Sequence, residues 1–307
     1  MTKKKPTKKQ HYIPQVYLKG FSQDSSTIYE YNYKKGEAIQ VPVSIESVCR
    51  GKNLYEVREN NGEIINPNFI EDILCKYEGQ FADYRKLLLS KAHIKENYYK
   101  QCFLSREEKN FWVFYAALNI MRNPETLAGI TSVFQEVFQN EFTDSEIRNT
   151  AVGFCLPFFK IPKDGDNNAL LFFIQLLLTK VITVAFDESD SLFTSDHAMY
   201  GSGNVDDNYN ITFHFLWFPV CSNCAILFID PSLAKKMRRN CLFPITKDEV
   251  CNMNKGIAYI ANRMVLSKHS FTELDIQLIE KARNEHAEDE EKSKSQTYNF
   301  DLFNNMR

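Results

Sequence analysis

The sequence has 307 residues, of which 44% are hydrophobic and 25% are charged, and its formal net charge at pH 7 is −2. Such a chain can bury a full core, and its charge excludes an overall electrostatic field that would draw the molecule to nucleic acid or anionic lipid. Eight cysteines in this length exclude a disulfide scaffold, and the polar, lysine-rich N-terminus lacks the apolar segment of a secretory signal. We therefore expect free thiols and a cytoplasmic location.

Charge and composition divide the chain into a domain with a tail at each end. Residues 1–10 are predicted to be a basic flexible tail, and residues 286–307 a charged, disordered one. Between them, residues 11–285 are predicted to form a single α+β domain. Its three regions are β-rich (11–66), helical (67–180) and mixed (181–285).

Turn and cap patterns place the elements of this domain in chain order. Residues 27–33 and 38–43 flank the turn Lys34-Lys35-Gly36, which predicts an N-terminal β-hairpin. Capping boxes predict the starts of four helices, because the hydroxyl and the Glu three residues later each satisfy a free backbone N–H. They begin at Ser105, Thr143, Thr246 and Ser270. Strand-like runs on both sides of the helical middle predict a sheet assembled from distant strands in a mainly helical α+β body.

One apolar stretch, at 169–186, has nearly the length of a membrane span. It contains Gln175 and Lys180, and a lysine near the centre of a span costs roughly 2.5–3.5 kcal/mol on insertion scales. The stretch is therefore predicted to be a buried helix that runs into a strand, and no membrane partner is expected.

The most distinctive motif is His11-Tyr12-Ile13-Pro14-Gln15-Val16-Tyr17-Leu18-Lys19-Gly20-Phe21. It resembles the opening signature of the bacterial domain-of-unknown-function 4238 family, whose members begin with His-Tyr-(Ile/Val)-Pro, two residues, Tyr-Leu and a Phe. The resemblance implies a soluble bacterial protein and supplies no activity. From the residues themselves, His11 could act as a base, an acid or a metal ligand. Alternatively, His11 and Tyr12 pin the N-terminal arm to the body.

A second candidate is the triplet Thr194-Ser195-Asp196 in a loop after a predicted strand. Family members carry a similar triplet, although this chain has Ala198 where a proline is common. Asp196 could orient an imidazole, bind a metal or accept a proton, and Ser195 could be a nucleophile only beside a base. The alternative is a turn whose side chains bond nearby backbone N–H groups.

Arg122 is the third candidate, because it shares a helical face with Phe111, Tyr115 and Leu118 and so points inward. A buried guanidinium needs a carboxylate or phosphate partner, which leaves a phosphate clamp and an internal ion pair as alternatives. Further binding candidates are Tyr12, Tyr17, Asn254, Lys8 and Lys9. Cys221 and Cys224 have the spacing of a zinc half-site, but no second pair accompanies them.

These residues support two functional hypotheses. In the first, the chain is a nuclease-like phosphodiester hydrolase: His11 is the base or metal ligand, Arg122 holds phosphate, and Asp196 orients His11 or binds a divalent metal ion. Nucleic acid or a nucleotide would then be the partner, recruited by Arg122 and the lysine tail. In the second, the same residues form a structural polar network in a non-enzymatic binding module.

Overall fold

The computed structural model describes residues 9–138, 141–157, 168–205, 211–234 and 239–295. Eight helices in these ranges form the larger part of the fold. They are α1 (Gln15–Leu18), α2 (Phe69–Ala92), α3 (Arg106–Met121), α4 (Pro124–Phe138), α5 (Asp144–Cys155), α6 (Ala169–Leu178), α7 (Lys247–Ile260) and α8 (Glu273–Ser295).

The same ranges contain fourteen short or medium strands. They are β1 (Lys9–His11), β2 (Thr27–Asn32), β3 (Glu37–Ala38), β4 (Val43–Ser44), β5 (Arg50–Lys52), β6 (Val57–Arg58), β7 (Ile64–Ile65), β8 (Val181–Phe186), β9 (Thr194–Ser195), β10 (Tyr200–Val205), β11 (Ile211–Cys221), β12 (Cys224–Ile229), β13 (Leu242–Pro244) and β14 (Met264–Ser267). The predicted α+β class is confirmed.

One five-stranded sheet has the order β10-β11-β12-β8-β13. Its neighbours are antiparallel except β13, which runs parallel to β8. Every residue of β8 and of β12 is buried, as expected for strands covered on both faces. Helices α3 and α6 pack against each other. The apolar stretch at 169–186 is helix α6 followed by strand β8, as predicted, but the helix is only partly buried, because Leu171, Phe172 and Leu178 are exposed. No described helix is long and apolar enough to cross a membrane.

A second sheet joins segments that lie far apart in the chain. Its order is β3-β2-β14-β9, and β4 also pairs with β2. The N-terminal hairpin strand β2 thus lies beside β14, more than 230 residues later, and β14 pairs in turn with β9. This pairing confirms the predicted sheet of distant strands and brings the Thr194-Ser195-Asp196 segment next to the end of helix α7.

Helix starts follow the predicted caps with one displacement. Ser105, Thr143 and Thr246 each form a complete capping box with the Glu three residues later. Helix α8 is instead capped by Thr272 and Asp275, two residues after the box predicted at Ser270, because the Thr272 hydroxyl accepts the backbone N–H of Asp275 at 3.2 Å.

Parts of both predicted tails have regular secondary structure. Lys9 and Gln10 belong to β1, which pairs with β5, and Lys8 lies outside the described residues. At the other end, α8 continues to Ser295, ten residues past the predicted limit of the folded domain. Its polar exposed face is that of a solvated helix, which explains why composition alone predicted disorder.

The signature motif packs into the core, and Tyr17 lies at its centre. Its side chain is fully buried, with its ring stacked on Phe218 at a centroid distance of 5.9 Å. Its hydroxyl donates to the Pro219 carbonyl at 2.7 Å and lies 2.9 Å from the Thr194 hydroxyl. The signature, strand β9 and strand β11 therefore meet at one phenol.

Gly20 permits the closest approach of this motif to the hairpin of β11 and β12. Its carbonyl accepts the Ser222 backbone N–H at 3.0 Å. A Cβ at this position would lie 2.7 Å from Arg85 Nη1 and 2.9 Å from Cys221 Cβ. A side chain at position 20 would therefore force the signature away from the sheet.

Replacement of Tyr17 by Phe is expected to destabilise the protein by about 1–3 kcal/mol, because it leaves the buried carbonyl of Pro219 without its donor. Urea denaturation followed by circular dichroism measures the free energy of unfolding. Tyr84→Phe is the matched control, since the Tyr84 hydroxyl bonds Glu107 on the surface and its loss should cost no more than about 0.5 kcal/mol. Equal stability of the Tyr17→Phe and wild-type proteins would contradict the role of the phenol as a core donor.

Candidate functional site

Three segments meet at one place on the surface: the junction of α3 and α4, the loop after β9, and the turn from α7 to β14. They contribute Glu125, Asp196, His197, Asn262 and Arg263, which we call the His197 cluster. Asn123 supports it from the helix junction. The local backbone structure of each segment determines where these side chains lie.

The Asp196 carboxylate holds the turn between α7 and β14. Helix α7 ends at Ile260, and the next backbone N–H groups need acceptors other than the helix. Asp196 accepts the N–H of Asn262 at 3.1 Å and that of Arg263 at 2.9 Å. Burial raises the pKa of the Asp196 carboxyl, whereas His197 and these two N–H groups act in the opposite direction. Asp196 is therefore fully used in fixing the backbone that carries Asn262 and Arg263.

Ser195 stabilises a turn that brings His197 to the surface, directly after the buried Asp196. Its hydroxyl donates to the His197 carbonyl at 2.6 Å and accepts the His197 backbone N–H at 3.0 Å. Ser195 itself is fully buried, and its partner is this local backbone rather than a base. The local turn, the alternative to a nucleophilic role, is the arrangement that the structure displays.

Asn123 and Glu125 approach His197 from the start of α4. The Asn123 Oδ1 atom accepts the Glu125 backbone N–H at 2.9 Å and so caps the helix, while Pro124 occupies its first turn. The amide of Asn123 then faces the other segment, 3.4 Å from both the Asp196 carbonyl and His197 Nδ1. Glu125 lies in the first helical turn, where the helix dipole favours a negative charge.

His197 and Glu125 form the titratable part of the cluster. His197 Nε2 lies 2.9 Å from Glu125 Oε2, and the two side chains are 25% and 52% exposed. Burial lowers the pKa of His197, but the hydrogen bond and charge of Glu125 and the charge of Asp196 outweigh it, so the pKa is raised. The hydrogen bond to His197 lowers the pKa of Glu125 in return. The imidazole can hold or release a proton at the protein surface.

Two exposed side chains complete the cluster beside this pair. Asn262 Nδ2 donates to Glu125 Oε1 and lies 3.3 Å from His197 Nε2. Arg263 is exposed, and its positive charge lowers the pKa of Glu125. An imidazole, a carboxylate, an amide and a guanidinium thus lie together on the surface, which is a set able to bind an anion and transfer a proton.

Arg122 is placed in the interior rather than in this cluster. It is 1% exposed, and its guanidinium donates to Glu78 Oε1 at 2.9 Å and to the His11 carbonyl at 2.7 Å. The ring of Tyr55 lies 5.8 Å from the guanidinium carbon, and the Tyr55 hydroxyl donates to the Arg122 carbonyl. Of the two alternatives for Arg122, the internal ion pair is the arrangement observed.

His11 faces the same interior region. Its Nδ1 atom lies 3.5 Å from Gln15 Nε2, and its Nε2 atom is buried without a hydrogen bond to any described residue. Burial lowers the pKa of His11, while the Glu46 carbonyl and the charge of Glu78 oppose this effect. The backbone carbonyl of His11 rather than its ring connects the signature to Arg122.

The remaining predicted binding residues hold segments together. Tyr12 is buried, and burial raises its pKa. Asn254 receives the Phe193 backbone N–H at 2.8 Å and donates to the Ser191 carbonyl at 2.9 Å, so it ties α7 to the loop before β9. Lys9 is exposed on β1. Tyr17 is the core donor described above.

Cys221 and Cys224, which have the spacing of a zinc half-site without a second pair, lie at the end of a hairpin. Cys221 and Cys224 pair across β11 and β12, both are buried, and burial raises the pKa of the Cys221 thiol to about 11. Among the residues that the structure describes, no group of three or more His, Cys, Asp or Glu side chains is arranged to hold a metal ion.

Sequence reasoning placed Asp196 at the site but missed Glu125, His197 and Arg263 as its exposed members. Asn123-Pro124 was a usable signal, because an Asn before a proline caps a helix and projects the next residues toward solvent. No local pattern indicates that Arg263 and Glu125, 138 positions apart, share a surface.

Replacing Arg122 with Ala is expected to lower the free energy of unfolding by about 3–5 kcal/mol, because Glu78 and the His11 carbonyl lose a buried partner. Chemical denaturation provides the measurement. Arg106→Ala, at the exposed first residue of the same helix, is the control and should change stability by no more than about 0.5 kcal/mol. Similar small effects in both variants would show that the ion pair is not structural.

Replacement of Glu125 by Gln is expected to lower the pKa of His197, since it removes the carboxylate that stabilises the imidazolium. NMR titration of the imidazole resonances measures the shift, with His269 as an internal control. The ion pair stabilises the fold between the lowered pKa of Glu125 and the raised pKa of His197. The stability difference from wild type should therefore reach up to about 1 kcal/mol near pH 6 and vanish at pH 9. An unchanged His197 titration would contradict the pairing.

One of three comparisons with known proteins gives a match. A family model described as "Protein of unknown function (DUF4238)" matches residues 9–271, which include the signature and all of the His197 cluster. Neither the curated proteins nor the solved structures yield a match. The match spans more than half of the chain and confirms the predicted family: this chain belongs to the DUF4238 family.

Proposed function

We propose that this protein is a hydrolase directed at phosphodiester bonds, with His197 as its proton-transfer group and Arg263 as its phosphate-binding group. One observation carries the proposal: a partly exposed imidazole bonds a carboxylate through Nε2, while its Nδ1 has only a 3.4 Å contact with the Asn123 amide. A substrate or water can compete with a contact of that length. Nδ1 is then the atom that accepts or gives the proton.

The roles of the surrounding groups follow from their contacts. Glu125 orients the ring and stabilises its protonated form, as a carboxylate does for a catalytic imidazole. Arg263 supplies an exposed cation where the phosphate charge would lie. Asp196 is a positioning residue, because its carboxylate fixes the backbone of Asn262 and Arg263. His11 and Arg122 were predicted from the sequence as catalytic residues. In this proposal they stabilise the helix junction from the interior, where Arg122 donates to the His11 carbonyl.

The substrate class and compartment are parts of the same proposal. An anionic diester fits a site that carries an imidazolium and an exposed arginine, and nucleic acid is the common polymer with that bond. All eight cysteines are free, which fits the reducing cytoplasm that we propose.

The test compares wild-type protein with His197→Gln and Arg263→Gln on bis(p-nitrophenyl) phosphate and on end-labelled single-stranded DNA and RNA. Loss of the imidazole is expected to lower kcat by about 10²–10⁴-fold, the usual contribution of acid–base catalysis, while the lost ion pair lowers Tm by no more than about 4 °C. Arg263→Gln should chiefly raise KM. His269→Gln removes an exposed histidine outside the cluster and should leave turnover unchanged.

A binding module without turnover is the second candidate, and the buried contacts of His11, Tyr17 and Arg122 favour it. In that case none of the substrates is hydrolysed by wild-type protein, while Arg263→Gln still weakens binding of the oligonucleotides. Turnover that is equal in wild type and His197→Gln would also overturn the hydrolase proposal.

A further inference from the structure

A basic pocket of about 370 Å³ lies between the start of α3, the end of α6 and the segment before β13. Its cationic lining residues are Arg106, Lys109, Lys180 and Arg239. We propose that this pocket binds the phosphate group of a nucleotide or of a nucleic-acid strand. The proposal goes beyond the function assigned to the His197 cluster, because it concerns a different part of the molecule.

The residues that line the pocket do not neutralise its positive charge. Lys180 is paired with Asp230 at 2.9 Å, and its side chain is 5% exposed. Arg106, Lys109 and Arg239 form no ion pair with any residue in the described part of the chain, and no carboxylate is among the lining residues. Three cations that pair with none of the described residues line one concave surface and attract an anion, and phosphate accepts several charge-assisted hydrogen bonds at once.

The backbone that carries these cations is held in place. Asn240 is buried, and its side chain donates to the Leu104 carbonyl at 2.8 Å and accepts the Leu104 N–H at 2.9 Å. Its own N–H donates to the Ile182 carbonyl at 2.9 Å. The residue after Arg239 is thereby tied both to the segment before Arg106 and to β8. A pocket whose walls are fixed before binding loses little entropy when it takes a ligand.

The size and remaining lining of the pocket suit a nucleotide unit. Its volume falls in the range of about 300–1,000 Å³ that small-molecule sites occupy. Leu178, Val181, Ile182 and Pro231 also line the pocket and supply apolar surface on which a base or sugar could pack. A free inorganic anion would use only the charged side.

The pocket and the His197 cluster lie at opposite ends of α3. This helix has 16 residues, which corresponds to about 24 Å between Arg106 and the junction that carries Asn123 and Glu125. One bound mononucleotide cannot reach both places, so binding at the pocket can be measured independently of the cluster.

The experiment measures binding of inorganic phosphate, AMP and a fluorescein-labelled single-stranded oligonucleotide to the full chain. The double variant Arg106→Ala/Lys109→Ala removes two unpaired cations of the pocket. It is expected to bind AMP at least about tenfold more weakly than wild type. Lys76→Ala/Lys86→Ala removes two exposed charges from α2 and should bind like wild type. Circular dichroism confirms that both variants are folded.

The salt dependence identifies the source of the phosphate. If a nucleic-acid strand is the ligand, AMP binds weakly, and the double variant lowers the log–log salt slope for the oligonucleotide by about 1.4, or about 0.7 for each lost contact. If a free nucleotide is the ligand, AMP binds, and the oligonucleotide binds no more tightly than AMP. Either result supports the proposal. Wild-type and variant proteins that bind all three probes equally, or not at all, would overturn it, whatever His197→Gln does to turnover.

Discussion

The buried guanidinium of Arg122 is the constraint on which the candidate site depends. A charge taken out of water is stable only with close partners, and Arg122 finds them in the Glu78 carboxylate and the His11 carbonyl. Burial lowers its pKa, but Tyr55 and Glu78 outweigh this effect and the pKa is raised. The residue therefore stays charged and locks the end of α3 against the signature and α2. Asn123 and Glu125 follow directly, so their positions depend on this ion pair.

The same division between buried support and exposed chemistry applies to the loop after β9. Asp196 is buried and satisfies two backbone N–H groups, whereas His197 beside it reaches the surface. The Ser195 hydroxyl bonds the backbone N–H and carbonyl of His197, which fixes how the chain leaves β9. In this loop the residues of the triplet are internal, and His197, the residue after them, carries the exposed functional group. Buried residues of a structural network therefore lie directly beside the exposed residues of the candidate site.

Local patterns predicted the fold class, three of the four helix caps and the helix–strand transition at 169–186, because each depends on residues close in sequence. The α8 cap lies two residues later than predicted, because Thr272 and Asp275 satisfy each other's backbone N–H groups there. The site was predicted only in part. Inward spacing correctly placed Arg122 in the interior, but spacing cannot say whether a buried cation meets phosphate or Glu78. That choice depends on long-range packing, as does the approach of Glu125 to Asn262.

This arrangement changes how a loss of function at the signature should be interpreted. Removing the His11 side chain leaves its carbonyl, the atom that binds Arg122, whereas removing Arg122 unties the junction that presents Glu125. A proton-transfer role for the His11 ring would thus appear as lost turnover at full stability, while a supporting role appears as lowered stability with turnover lost in proportion. His197 is the opposite case, because its exposed ring contributes little to the core. Stability and turnover measured on the same variants therefore separate support from chemistry in this fold.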